Sequence, residues 1–274
     1  MYVVGGWSTS GRTAALQILD FASETWSYGA PIPVATDWGA AAWLDAELHF
    51  VGGITNDASA TTQHLVYDPE ANEWRAGTPL PVGRAGIAAV ARDLRLFVFA
   101  GNSGASPAHT SSTLIYDAGA DLWSNGADVP GDARINWSGA LSGDRFFLAG
   151  GGTEGLQTSA DLLAYHAATD SWEQMSPMPL PREAHGVASA MGIVCVVGGR
   201  EAAGGNFNEP FDNVSCYSPA TDTWYPAPSL PRARQEVAAV AIGDALIALG
   251  GADADATSLT DVTVLRLEPP VAQE

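Results

Sequence analysis

Lysine is missing from this chain. All 12 basic residues among its 274 are arginine, set against 31 Asp and Glu, and the formal net charge is -19. A surface of that sign repels polyanions, which excludes nucleic acid and anionic membrane as partners. No apolar run is long enough to cross a bilayer, and no basic start leads into a long apolar region as a secretory leader requires. Cysteine is scarce: Cys195 and Cys216 are the whole supply, too few for a thiolate zinc array. No metal and no cofactor is expected.

Glycine, by contrast, is plentiful and ordered. The pairs Gly5-Gly6, Gly52-Gly53, Ala100-Gly101, Gly150-Gly151, Gly198-Gly199 and Gly250-Gly251 recur at steps of 47, 48, 50, 48 and 52 residues. Each closes a short apolar run, such as Val194-Cys195-Val196-Val197. A period near 50 residues is the signature of a repeat protein.

Two further markers keep the same beat. Tyr67, Tyr116, Tyr165 and Tyr217 are each followed seven residues later by Trp74, Trp123, Trp172 and Trp224, and Leu19 and Trp26 hold those places in the first unit. The intervening stretches are rich in Asp, Asn, Ser and Pro, so each segment predicts two strands joined by a tight turn. Arg84, Arg134, Arg182 and Arg234 each stand sixteen residues before the next small-residue pair, with Thr36 in that place before Gly52. A small, apolar stretch such as Gly86-Ile87-Ala88-Ala89-Val90 follows. One unit therefore holds four strands: one after the arginine, one ending at the glycines, one carrying Tyr and one beginning at Trp.

These residues closely resemble the kelch repeat, whose pattern is Gly-Gly, Tyr-Asp-Pro, a Trp at a fixed interval, and Pro-Arg before the next strand. The resemblance covers essentially the whole chain and implies an all-β, six-bladed kelch-type β-propeller of about 22 strands. The nearest rival, the WD40 repeat, lacks support because no Trp-Asp or Gly-His pair recurs. A generic β-sandwich fits the turns but not the repeat. Galactose oxidase shares the kelch architecture, but the five His here, at 49, 64, 109, 166 and 185, are scattered over repeat positions and match no such copper site.

The ends depart from the pattern. The chain starts on the second strand of its first unit, so the inner strand of blade one is expected to be missing. Leu267 is read as the Tyr equivalent of the last unit, with Glu274 where a Trp is due, so the outer strand of blade six is missing too. Residues 1–274 are read as a single propeller domain, either a fragment of a longer chain or a ring that closes irregularly; five closed blades with a surplus hairpin is the lesser alternative. The compartment would be cytoplasmic if Met1 is the native start, and secreted or cell-surface if the chain is a fragment. Cys195 and Cys216 fall on adjacent strands of one blade. They are read as buried free thiols, with a cross-strand disulfide as the alternative.

The resemblance also implies that the loop before the innermost strand and the loop after Gly-Gly open on one face, around a funnel. The arginines Arg84, Arg134, Arg182 and Arg234 match those that many kelch domains use to hold acidic ligands. The same loops offer Trp7, Trp38, Asn102, Asn136, Trp137 and Arg200. Arg forks bind carboxylates through paired hydrogen bonds, so the leading expectation is a module that holds an acidic peptide or another anionic ligand. The competing structural role is that each arginine bonds a loop carboxylate or carbonyl and closes its blade. A second function is an enzyme acting on an anionic sugar, since bacterial sialic-acid mutarotases resemble this chain; Glu183, His185 and Glu236 are then the candidate acid-base groups. A third is a scaffold within a larger secreted protein. The longest Gly-Gly-to-Tyr interval, in blade five, contributes Phe207 and Phe211 as possible caps.

Overall fold

The computed structural model describes residues 1–104, 108–203 and 209–267, together with the backbone of 206–207. All regular structure in it is β. Twenty-two strands form six antiparallel sheets of three, four, four, four, four and three strands, the inventory that the six-bladed expectation requires. The chain divides into two compact units, Met1–Ile135 and Asn136–Glu274, with three sheets apiece.

In the first unit, Tyr2–Val4, Leu16–Asp20 and Thr25–Gly29 make a three-stranded sheet. The next two sheets have four strands each: Asp37–Leu44, Glu47–Ile54, His64–Asp68 and Glu73–Ala76, then Ala88–Arg92, Arg95–Phe99, Thr113–Asp117 and Leu122–Gly126. The second unit repeats the plan with Ser138–Ser142, Arg145–Ala149, Leu162–His166 and Ser171–Met175, and then Gly186–Ala190, Ile193–Val197, Val214–Ser218 and Thr223–Ala227. It closes with Ala238–Ile242, Ala245–Leu249 and Val262–Arg266. Within each unit neighbouring sheets pack face to face. Leu44, Val51, Ile87, Leu96, Val98 and Leu114 fill the space between the second and third sheets, and Val197, Cys216, Leu230, Leu246 and Ala248 that between the fifth and sixth.

The Tyr-to-Trp interval has a direct cause. Tyr67 lies opposite Trp74, Tyr116 opposite Trp123, Tyr165 opposite Trp172, Tyr217 opposite Trp224, and Leu19 opposite Trp26. The turn between them carries an Asn or Asp five residues after the tyrosine, at φ between 48° and 54°: Asn72, Asp121, Asp170 and Asp222. These short side chains tolerate left-handed backbone. Each accepts the tyrosine hydroxyl, at 2.8, 2.7, 2.6 and 2.6 Å. The same carboxylate or amide reaches the preceding sheet, where Asn72 accepts from the Ala30 amide and Asp222 from the Ser176 amide. The indole follows it there: Trp74 donates to Ala30 O, Trp123 to Thr78 O and Trp224 to Ser176 O, at 2.7 to 2.8 Å. A buried tyrosine, a turn acid or amide, and a tryptophan thus clamp one sheet to the one before it.

Two expectations are corrected. Cys195 and Cys216 sit directly opposite each other in neighbouring strands, fully buried, and form a disulfide. The free-thiol expectation fails because directly opposed positions on neighbouring strands bring the two Cα atoms to 4.1 Å, within reach of a bridge. In the last sheet Leu246 faces Leu265, as Leu96 faces Tyr116 and Val194 faces Tyr217. Leu265, not Leu267, is therefore the Tyr equivalent. Residues 268–274, where a further strand and the Trp position were sought, lie outside the described residues.

Candidate functional site

The two sets of loops named by the repeat meet in blades two, three, five and six. Ala85 bridges Asn102, Glu183 bridges Arg200, Gln235 bridges Ala252, and Asp37 pairs with Ile54. Each bridge joins the residue after the marker position to one just beyond the glycine pair. The loop before the inner strand and the loop after the second strand therefore share one end of their sheet.

The arginines explain the sixteen-residue interval. Arg182 donates from Nη1 to Gly198 O at 2.8 Å and Arg234 from Nη1 to Gly250 O at 3.2 Å, in both cases to the first glycine of its own blade. Their backbone carbonyls turn the other way, into the preceding blade: Gly53 N donates to Arg84 O, Gly101 N to Arg134 O, Gly151 N to Arg182 O and Gly199 N to Arg234 O, at 2.7 to 2.9 Å. The close approach demands glycine. A methyl group at Gly150 would run into Arg182 O, and Gly150 itself has φ of +62°. Blade two lacks the arginine, and a different side chain supplies the contact: Gln63 Nε2 donates to Gly52 O at 2.7 Å and to Thr36 Oγ1 at 3.1 Å.

All four guanidiniums are buried, Arg84 and Arg134 at 5% exposure and Arg182 and Arg234 at 0%. Arg234 also pairs with Asp261 at 2.5 Å and Arg84 with the Ser112 hydroxyl. Arg182 has Phe211 across its guanidinium face at 5.1 Å, and burial pulls its pKa down to about 10. The other proposed cap, Phe207, has its side chain outside the described residues.

The acid-base candidates have distinct settings. Glu183 is buried and ion-paired with Arg200 at 3.1 Å, and Arg200 also donates to Gln235 Oε1 at 2.8 Å. His185 is buried, and desolvation first, then the Arg182 charge, lowers its pKa to about 3, so it stays neutral at ordinary pH. Glu236 is exposed at the loop surface. Asn102 uses its backbone on Ala85 and its Oδ1 to accept from Gly104 N. Trp137 is buried at 4% exposure, within the core rather than on the surface. Among the described residues no group of three or more His, Cys, Asp or Glu is placed to hold a metal ion.

The residue two beyond each marker position takes a left-handed conformation: Trp38, Gly86, Asn136, Ala184 and Glu236 have φ between 54° and 62°. Non-glycine residues rarely sit there, and when they do the neighbouring structure must hold them. Backbone hydrogen bonds do so within each unit. Gly86 N donates to Trp38 O at 2.8 Å; Ala184 N donates to Asn136 O at 2.8 Å and Glu236 N to Ala184 O at 2.6 Å.

In the first unit two exposed tryptophans flank an ion pair. Trp38 is 42% exposed and Trp7 59%. Arg12 lies over the Trp7 ring at 5.1 Å and donates from Nε to Asp37 Oδ1 at 2.8 Å. Arg12 escaped sequence reasoning because it belongs to no repeat position. It sits in a hairpin of the first blade, where Trp7 and Arg12 are cross-strand partners.

Residues 38–251 match the family described as the KLHDC2/KLHL20/DRC7 Kelch-repeats domain. Human Kelch-like protein 25 is 36% identical over 112 residues, which is 38% of this chain and 19% of that protein. Beta-scruin of Limulus polyphemus is 41% identical over 81 residues, 29% of this chain and 9% of that protein. The chain thus spans a fifth or less of the length of these curated relatives. A solved structure titled "Structure of YjhT" superimposes with a TM-score of 0.85 at 16% identity, over 97% of this chain and 91% of that one, a likeness of fold alone.

Proposed function

Because this chain belongs to the kelch-repeat family of β-propellers, whose propellers are typically protein-binding modules, we propose that it binds an acidic segment of a partner protein at the loop end of its first blades. The observation that carries this reading is the cluster of Trp7, Arg12, Asp37 and Trp38. Tryptophan and arginine dominate the binding energy of protein interfaces, because they cover much area with few rotors and combine apolar and polar contact. Trp38 is held in left-handed backbone by its bond to Gly86, so little ordering remains to be done on binding.

Arg12 supplies the charge preference. Asp37 engages its Nε, and the stacking on Trp7 fixes the plane of the fork. In this reading the terminal amino groups take a carboxylate of the partner, which a planar guanidinium receives through two parallel bonds. Behind this surface Gln63 holds the loop that carries Asp37 and Trp38, donating from Nε2 to Gly52 O and to Thr36 Oγ1.

Fluorescence polarisation with three labelled peptides, Glu/Asp-rich, uncharged and Arg-rich, each with one central aromatic residue, tests the proposal. The Glu/Asp-rich peptide binds, and Trp7→Ala, Trp38→Ala and Arg12→Gln each weaken it about tenfold or more, the two tryptophan variants without changing the melting temperature. A protein that prefers the Arg-rich peptide, or whose binding is indifferent to all three substitutions, removes the reading.

A further inference from the structure

A second place in the first unit has the makings of a ligand site, at the strand ends remote from the glycine pairs and marker arginines. There the second and third sheets leave a cavity of about 290 Å³, near the lower end of the range that small-molecule sites occupy. Its apolar walls come from Leu44, Leu94 and the ring of Tyr116, and its polar lining from Asp45, Glu47, His49 and Arg75. The tyrosine hydroxyl is already committed to Asp121 at 2.7 Å, and Arg75 to Glu47 at 2.6 Å.

The histidine in this wall has a fixed tautomer. His49 Nδ1 lies 2.8 Å from His64 Nε2, and His64 Nδ1 lies 2.9 Å from Thr78 O. A carbonyl can only accept, so His64 carries its proton on Nδ1 and offers a lone pair at Nε2. His49 must then donate from Nδ1, and its Nε2 carries a lone pair for whatever occupies the cavity. Burial, followed by the charges of His64 and Arg75, lowers the His49 pKa to about 4, so the acceptor is in place at neutral pH.

We infer that this cavity binds a small primary amine with an apolar body. Asp45 and Glu47 set two negative charges against the single Arg75, an excess suited to an ammonium group. His49 Nε2 accepts one of its N–H bonds, and the walls of Leu44 and Leu94 cover the apolar part. No group of metal-binding residues is assembled among the described residues, so the histidine lone pair is matched to a hydrogen-bond donor. An anion is opposed by these carboxylates at the cavity itself.

Calorimetric titration of the full chain with 2-phenylethylamine, 2-phenylethanol and phenylacetate tests this. The amine saturates one site, the alcohol binds more weakly and phenylacetate does not bind. Glu47→Gln removes a charge, and His49→Asn keeps the donor toward His64 while losing Nε2; each lowers amine affinity about tenfold. Tyr28→Ala, exposed in the first sheet and outside both sites, leaves it unchanged. If His49→Asn melts the fold, Glu47→Gln and Asp45→Asn, both on the surface of the cavity, carry the decision. Failure of the amine to saturate below about 10 mM, equal binding of amine and alcohol, or unchanged affinity in the carboxylate variants overturns the inference.

Discussion

Arg182 and Gly198 are joined by one hydrogen bond, from Nη1 to the carbonyl oxygen at 2.8 Å, and this bond explains their separation of sixteen positions. The backbone carbonyl of the same arginine accepts from Gly151 N at 2.9 Å. One residue therefore ties its own blade through its side chain and the preceding blade through its main chain.

If that is its role, Arg182→Ala costs stability. It opens a cavity and strands the Gly198 carbonyl, about 2–4 kcal/mol together. Arg182→Met fills the space and removes a buried cation, so it costs about half as much. Urea denaturation measures both. Unchanged midpoints for both variants, with loss of peptide binding, would return the arginine to the ligand.

The turn clamp makes a sharper comparison. Asp222 accepts from the Tyr217 hydroxyl and from the amide and hydroxyl of Ser176, in left-handed backbone. Asp222→Ala forfeits all three bonds and is strained, at a cost of about 2–3 kcal/mol. Asp222→Asn, the residue that blade two uses as Asn72, costs under about 1 kcal/mol. Similar melting temperatures for the two variants would refute the clamp.

The Cys195–Cys216 disulfide closes a loop with a sequence separation of 21. Loops of that size gain about 3 kcal/mol from cross-linking. The native protein under denaturant without reductant shows no titratable thiol. Reduction, or the double substitution Cys195→Ala/Cys216→Ala, lowers stability by that order. Two free thiols in the unreduced chain would disprove the bond.

Acid sensitivity follows from the histidines. His49 and His185 are lowered to about 4 and about 3, and His64 is lowered too, each chiefly by burial. In the unfolded chain they take up protons near pH 6.5, where the folded protein refuses them. The unfolded state binds more protons in that window, so stability is full above pH 6.5 and falls as the pH drops toward 4. Each fully depressed group contributes up to about 2–3 kcal/mol of the loss. The depressed carboxylates, Asp121 and Asp222 among them, lose their contribution only below their ordinary value of 3.8. Urea midpoints at pH 7 and pH 5 should therefore differ, and His49→Gln should flatten the slope. A flat profile between pH 7 and 5 would contradict neutral burial.

The fold was legible because the same contacts recur in each blade, so Gly-Gly, Tyr, Trp and Arg appear at fixed intervals. What each marker does was less legible. Arg84 and Arg182 look alike as acid-holding groups and as carbonyl-holding ones until their reach is known. The acceptor at Asn72, Asp121, Asp170 and Asp222 passed as generic turn chemistry, since Asn and Asp alternate there. The disulfide was readable in principle. Leu48 opposite Tyr67 and Leu96 opposite Tyr116 imply Val194 opposite Tyr217, which sets Cys195 against Cys216. Counting from the glycines obscured this, because the intervening loop is longest in that blade. The Trp7–Arg12 pair belongs to a hairpin of blade one, so periodicity is silent about it.

Blade two shows how loosely the fold binds letters to places. Gln63, placed just before a different strand from the one that follows Thr36, satisfies the Gly52 carbonyl that a guanidinium satisfies in two later blades. What recurs in these blades is a hydrogen-bond donor at the glycine oxygen, and the chain has more than one route to that point. A search that scores only Pro-Arg will pass over such blades, whereas one that asks which side chain can reach the glycine oxygen will find them.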